Sequence, residues 1–276
     1  MSGYLRAGVI GWPIKHSKSP RLHGHWLKTY GVNGTYEHVE LPPETFEKGV
    51  RALLADGWKG ANVTLPHKEA ALALADEASE IARAIGAANT LIFREDGSIF
   101  ADNTDGFGFI ENLRHGAGTV WNPLEPAVVL GAGGAARAVI HSLIGAGAPE
   151  IRLTNRTAAR ADELAQRFGS KVKTIPWDKA ETALPGAGVI VNTTSLGMKG
   201  APPLELDLAH APKTAIATDI VYTPLITTFL EAAQAQGLKT VDGLGMLLHQ
   251  ARPGFTAWFG PTPEVDETLR SLMLAP

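Results

Sequence analysis

The run Ala127-Val128-Val129-Leu130-Gly131-Ala132-Gly133-Gly134-Ala135-Ala136 constrains this chain more than any other stretch. Four consecutive apolar residues read as a strand, and the hexapeptide after them fits the pattern G-x-G-x-x-G/A. The stretch that follows, up to Ala146, reads as a helix. In such a turn the first glycine permits the tight bend and the second lets a pyrophosphate approach the backbone. A small last residue lets helix and strand pack closely, and free amides at the helix start then face the phosphates. A strand that feeds a helix in this way belongs to a sheet covered by helices, so the fold class is α/β.

Further strands read at 150–154, 171–175, 189–192 and 215–218. The first third repeats the alternation, with strands at 5–11, 36–41 and 61–65. Ser19 is expected as an N-cap with Pro20 at N1, followed by Leu22, Trp26 and Tyr30 on one helix face. A second helix starts near Glu44, with Phe46, Val50, Leu53 and Leu54 at helical spacing. The segment 112–126 holds Gly116, Gly118, Pro123 and Pro126 and reads as the connection between two α/β units. The expected domains are therefore 1–110 and 111–244, which suits 276 residues at about 150 per domain. Asp242-Gly243-Leu244-Gly245 reads as a turn before a helix that carries Gln250, and 265–274 reads as a last helix.

Composition removes several function classes. A formal charge of −3 gives no electrostatic footprint for nucleic acid or an anionic membrane. With no cysteine, disulfides, thiolate metal sites and thiol nucleophiles are excluded. The nine histidines form no H-E-x-x-H or H-x-x-x-H arrangement, so no metal is expected. No apolar span of about 20 residues exists, and 7–12 is too short for a signal-peptide core. The expectation is a cytoplasmic protein whose partner is a small molecule, with monomer and homodimer both open.

An NAD site normally places Asp or Glu about 20 residues after the glycine turn. Here that position reads Thr154-Asn155-Arg156-Thr157, with Arg160 one turn later. Guanidinium groups suit a 2′-phosphate, so NADP is expected as the cofactor rather than NAD. In the first third, Ser17 and Ser19 beside free helix amides make a site for a carboxylate. Asn62-Val63-Thr64-Leu65-Pro66-His67-Lys68 puts polar side chains at a strand end and a lysine at a helix start. Asp102-Asn103-Thr104-Asp105-Gly106, preceded by Asn89-Thr90, is a polar turn. Of these segments only Lys68 and Asp105 offer opposite charges that could share a proton relay. Hydride reduction of a carbonyl needs such a donor at the oxygen. On spacing alone, a surface lysine and a turn-capping aspartate are the favoured reading of this pair.

Taken together, Gly11 to Pro20, Gly60 to Lys68, Asn89-Thr90, Asp102 to Gly106, Gly131 to Ala135, Asn155-Arg156-Thr157 and Asp242 to Met246 resemble the shikimate dehydrogenase family. The resemblance covers essentially the whole chain. It implies a substrate domain completed by the carboxy-terminal helices, 245–276, and a Rossmann domain that binds NADP. The implied activity is reversible NADPH-dependent reduction of 3-dehydroshikimate to shikimate, in aromatic amino-acid biosynthesis. Ser17 and Ser19 would hold the substrate carboxylate, while Asn62, Thr64, Asn89, Asp105, Tyr222 and Gln250 would meet the rest of the substrate. Lys68 and Asp105 would be the catalytic pair, Lys68 also touching substrate. Gly131, Ala132, Gly133, Gly134 and Ala135 would hold the pyrophosphate, and Asn155, Arg156, Thr157 and Arg160 the 2′-phosphate. Ile220, Gly243 and Met246 would flank the nicotinamide, and Glu80 sits where some members place a cofactor-contacting acid. A related quinate/shikimate dehydrogenase with relaxed cofactor use, and a non-catalytic NADP-binding regulator, are the alternatives. Two positions depart from the family pattern: Ala88 stands where valine is common, and Pro253-Gly254 is expected to interrupt the helix after Gln250.

Overall fold

A computed structural model describes residues 3–275. Two compact units divide the chain, one made of residues 1–104 with 250–276 and the other of residues 105–249.

The first unit contains β1 (Leu5–Gly11), α1 (Ser19–Thr29), β2 (Gly34–Glu40), α2 (Phe46–Ala55), β3 (Gly60–Val63), α3 (Lys68–Leu74), β4 (Glu77–Ala78), α4 (Glu80–Ile85), β5 (Thr90–Phe93) and β6 (Ile99–Asp102). Its six-stranded sheet has the order β2-β1-β3-β5-β6-β4. Parallel pairing of β1 with β2 and β3 gives way to antiparallel β3–β5 and β5–β6. The last two strands form a hairpin whose turn carries Asp96 and a left-handed Gly97.

The second unit contains α5 (Asp105–Ala117), β7 (Ala127–Leu130), α6 (Gly134–Ala146), β8 (Ile151–Asn155), α7 (Ala158–Phe168), β9 (Val172–Pro176), β10 (Val189–Asn192), β11 (Ile216–Asp219), α8 (Thr228–Ala235) and β12 (Lys239–Val241). Every pairing in its sheet, order β12-β11-β10-β7-β8-β9, is parallel. Counted from β7, that is the doubly wound dinucleotide-binding order, with the switch point between β7 and β10. The unbroken apolar run of β7 follows from burial on both faces. Ala127 and Val129 enter one core cluster with Val139, Ile140 and Leu143 of α6, and Val128 and Leu130 enter another with Phe229 and Leu230 of α8.

Three readings need correction. The stretch expected to connect the units begins inside α5, because Phe109, Leu113 and Ala117 recur at helical spacing and are buried in the core of the second unit. Ser19 is the first residue of α1 rather than its cap. The N-cap position is Lys18, without a side-chain cap, and the Ser19 amide donates to the Ser17 hydroxyl at 3.3 Å. Pro253 does not interrupt its helix, since α9 (Leu244–Phe259) runs through it. A proline inside a helix costs about 3 kcal/mol. Full burial of Phe255 and Trp258 contributes about 2–3 kcal/mol each, which outweighs it. Gly254 fits the same packing, because the Trp258 ring lies 2.7 Å from where a Cβ would stand.

These carboxy-terminal residues close the first unit. His23 of α1 stacks on Tyr36 of β2, ring centroids 3.8 Å apart and planes 2° apart, with Trp26, Phe255 and Trp258 around it. Trp26 Nε1 donates to the Glu264 carbonyl at 3.0 Å and Trp258 Nε1 to that of Leu91 at 3.0 Å. Lys18 Nζ donates to the Met273 carbonyl, fastening α10 (Glu267–Leu274) beside α1.

Burial pushes the His23 imidazole down to about 3. An unfolded chain binds a proton there below about pH 6.5 while the folded one stays neutral, so this group lowers stability as pH falls through that window. Unfolding free energy should drop by about 1.4 kcal/mol per pH unit from this residue between pH 6 and 4. Denaturant titration of His23→Phe should show a correspondingly shallower loss; an equal slope in both proteins would contradict a neutral buried imidazole.

Candidate active site

The residues expected to meet substrate in the first unit lie on and after the ends of β1 and β3. Both strands are parallel neighbours, so the loops after them leave the same sheet edge. Trp12 N donates to the Leu65 carbonyl at 3.2 Å and Thr64 N to that of Ile10 at 2.9 Å, which ties the two loops together. Ser17 and Ser19 lie on the first loop, joined by a 3.2 Å bond from Ser17 Oγ to Ser19 Oγ. Thr64 lies on the second, and Lys68 opens α3.

Behind them is a buried amide network. Asn62 of β3 is 6% exposed and Asn89 is 3% exposed. Asn62 Nδ2 donates to the Asn89 carbonyl and to Thr90 Oγ1, both at 3.2 Å. Asn89 Oδ1 accepts from Thr104 N at 2.8 Å and from Thr90 Oγ1 at 2.9 Å. Asn89 Nδ2 then reaches Gln250 Oε1 at 3.3 Å, while Thr104 Oγ1 donates to the Gln250 carbonyl at 2.8 Å. One connected set of hydrogen bonds thus orders Asn62, Asn89 and Gln250, which are far apart in sequence. Glu80 stands apart from it, exposed in the first turn of α4, where its charge suits a helix start.

In the second unit the glycine turn sits at the sheet's switch point. Gly131 has φ +104°, and a Cβ there would come within 2.7 Å of Thr194 Cγ2 and 2.9 Å of Thr193 Oγ1. Only glycine meets both demands. Side chains at Gly133 and Gly134 would meet nothing within 4 Å, so the start of α6 faces open space. Ala132, Gly133 and Gly134 line a cavity of about 260 Å³ with Arg137 and Arg160. Arg156 and Asn155 line a neighbouring cavity of about 680 Å³ with Trp177. Asn155 Oδ1 accepts from Ala132 N at 3.2 Å and its Nδ2 donates to the Thr157 carbonyl at 2.8 Å, so this side chain pins the glycine turn to the arginine loop. An open helix start, a glycine cradle and two exposed guanidinium groups fit a dinucleotide that carries an extra phosphate. Among the described residues no cluster of His, Asp and Glu could hold a metal.

Asp105 opens α5 and Tyr222 follows β11. The Tyr222 loop hangs from Asp219, which sequence reasoning missed although an acid at the end of a buried parallel strand was the signal. Asp219 is 1% exposed. Its Oδ1 accepts from Val221 N at 2.9 Å and its Oδ2 from Thr227 Oγ1 at 2.7 Å, with Asn192 Nδ2 shared between them. Burial raises its pKa, and these donors oppose the shift. Burial likewise raises the Tyr222 phenol. Gly243 lies against this loop, since a Cβ would come 2.6 Å from the Ile220 and Val221 carbonyl oxygens. Ile220 and Met246 pack on the same core cluster, so they and Gly243 share one region of the unit. Thr104 and Thr193 are further site-building residues to which sequence reasoning gave no role.

Residues 9–91 match the family described as shikimate dehydrogenase substrate binding domain, and residues 124–200 match shikimate / quinate 5-dehydrogenase. The chain is 56% identical to shikimate dehydrogenase (NADP(+)) of Paracoccus denitrificans, over 98% of this chain and 95% of that protein. Shikimate 5-dehydrogenase of Thermus thermophilus, solved in complex with NADP(H) and shikimate, is 39% identical with a TM-score of 0.85, covering 98% and 97% of the two chains. Quinate dehydrogenase of Corynebacterium glutamicum, solved with NAD, has a TM-score of 0.90 at 30% identity, covering 98% and 99%. Fold similarity alone does not separate these two enzymes, whereas sequence identity favours the first. This chain belongs to the shikimate dehydrogenase family.

Proposed function

We propose that this chain catalyses the reversible reduction of 3-dehydroshikimate to shikimate with NADPH, a step of aromatic amino-acid biosynthesis. The observation that carries the reading is the buried amide network of Asn62, Asn89 and Gln250. It presents several fixed polar groups beside a serine pair, as a small polyhydroxylated acid requires. Ser17 and Ser19 take the carboxylate, while Asn62, Thr64, Asn89, Tyr222 and Gln250 take the hydroxyls. When bound, NADPH supplies hydride to the ring carbonyl carbon. Lys68 gives the proton to the carbonyl oxygen with Asp105 as its partner, and both roles reverse in the oxidation direction. Gly131 to Ala135 hold the pyrophosphate, Asn155, Arg156, Thr157 and Arg160 the 2′-phosphate side, and Ile220, Gly243 and Met246 the nicotinamide. The loop after β8 holds arginine where an NAD enzyme holds an acid, which favours this reading over an NAD-linked quinate dehydrogenase. Such a step needs no nucleic acid or membrane and belongs in the cytoplasm.

Purified protein given shikimate and NADP+ should build up reduced nicotinamide, and quinate with NAD+ should be turned over far more slowly. The reverse preference would make it a quinate dehydrogenase, and no turnover of either would favour the non-catalytic alternative. Lys68→Ala should lower kcat by about 10²–10⁴-fold with little change in the shikimate KM, as expected of a group used in the transition state. A raised KM with kcat intact would make Lys68 a binding residue instead. Arg156→Ala should raise the KM for NADPH by about tenfold and leave that for NADH nearly unchanged. Equal effects on both cofactors would remove Arg156 from the 2′-phosphate site.

A further inference from the structure

Tyr36 lies in β2, is 6% exposed, and has none of the substrate or cofactor roles assigned above. Its hydroxyl and Asn62 Oδ1 are 2.7 Å apart. The direction of that bond follows from the rest of the network. A backbone carbonyl can only accept, so the Asn62 amide nitrogen must face the Asn89 carbonyl and its oxygen must face Tyr36. The phenol therefore donates. By the same reasoning, the Thr104 backbone amide can only donate, so Asn89 Oδ1 faces it and Asn89 Nδ2 turns to Gln250 Oε1. The Tyr36 ring is itself held by the His23 ring stacked on it.

We propose that Tyr36 is a positioning residue that anchors the Asn62 amide for substrate, its phenol bonding Oδ1 while the Asn89 carbonyl fixes which way the amide faces. With both amide hydrogens of Asn62 committed to Asn89 and Thr90, what Asn62 offers a ligand is a lone pair on Oδ1. The substrate group that meets it is then a hydroxyl that donates, not an ether or a ketone. Without the phenol the amide keeps the polarity imposed by the Asn89 carbonyl but loses the bond that anchors Oδ1, and its hold on that hydroxyl weakens. This inference rests on the assignment of Asn62 to the substrate.

Tyr36→Phe keeps the ring and its stack and removes only the hydroxyl. Shikimate binding to the cofactor-free variant, measured by calorimetry, should weaken by about tenfold. The shikimate KM should rise in step, kcat should fall much less, and the KM for NADP+ should not move. A double-mutant cycle of Tyr36→Phe and Asn62→Ala, read as shikimate Kd, should be non-additive, with little further loss from Tyr36→Phe once residue 62 is alanine. Wild-type affinity in Tyr36→Phe, or additive losses in the cycle, would overturn the proposal. If Asn62→Ala binds shikimate like the wild type, the underlying assignment fails and takes the proposal with it. Should Tyr36→Phe not fold, Thr90→Val severs the same network at its next link. It must then give the same rise in KM with little loss of kcat, and a wild-type KM there overturns the proposal.

Discussion

An amide buried without partners costs about 1–3 kcal/mol, and the polar network of the first unit is built from amides that are nearly buried. Asn62, Asn89, Thr90 and Thr104 must satisfy one another, and each bond leaves the next side chain one orientation. Because backbone groups stand at two points of the network, its polarity is fixed before any ligand arrives. A site preorganised in this way loses little entropy when a rigid cyclic acid binds. The sheet supplies the positions, with Asn62 on β3, Thr90 opening β5 and Thr104 just after β6, while Gln250 comes from α9.

The second unit solves the same problem with a carboxylate. Asp219 and Asn192 end adjacent parallel strands, and their mutual hydrogen bonds hold the loop that carries Ile220 and Tyr222. Asn192 also fixes Thr194, whose methyl group is one of the two contacts that oblige residue 131 to be glycine. The acceptor of the switch point and the tight turn of the glycine motif are thus parts of one construction. A local substitution at Asn192 would be felt at both.

Much of this was legible in the chain because burial on two faces leaves an unmistakable mark. The strands at 5–11, 127–130 and 189–192 lie where the apolar runs put them, and the α/β class and NADP specificity of the family agree with the glycine turn and the arginines after it. Short polar strands were harder to see. The β5–β6 hairpin was overlooked although Asp96-Gly97 marks its turn, since only four residues flank it on each side. Helix α5 was hidden by its glycines, and the rule that proline ends a helix failed at Pro253 because aromatic packing outweighed it. The network itself left no local trace. Tyr36 and Asn62 are 26 residues apart and Asn89 and Gln250 are 161 apart, so their pairing is a property of the fold. Residues named from the resemblance were in view, whereas those that orient them were not.

The central claim is that shikimate docks on the ordered amides of the first unit. Side-chain amide NMR resonances of Asn62, Asn89 and Gln250, followed while shikimate is added to the cofactor-free protein, test it most directly. The account predicts saturable shifts at all three and at the backbone amides of Ser17 and Ser19. Saturable shifts confined to other residues, with these five signals unmoved, would contradict it.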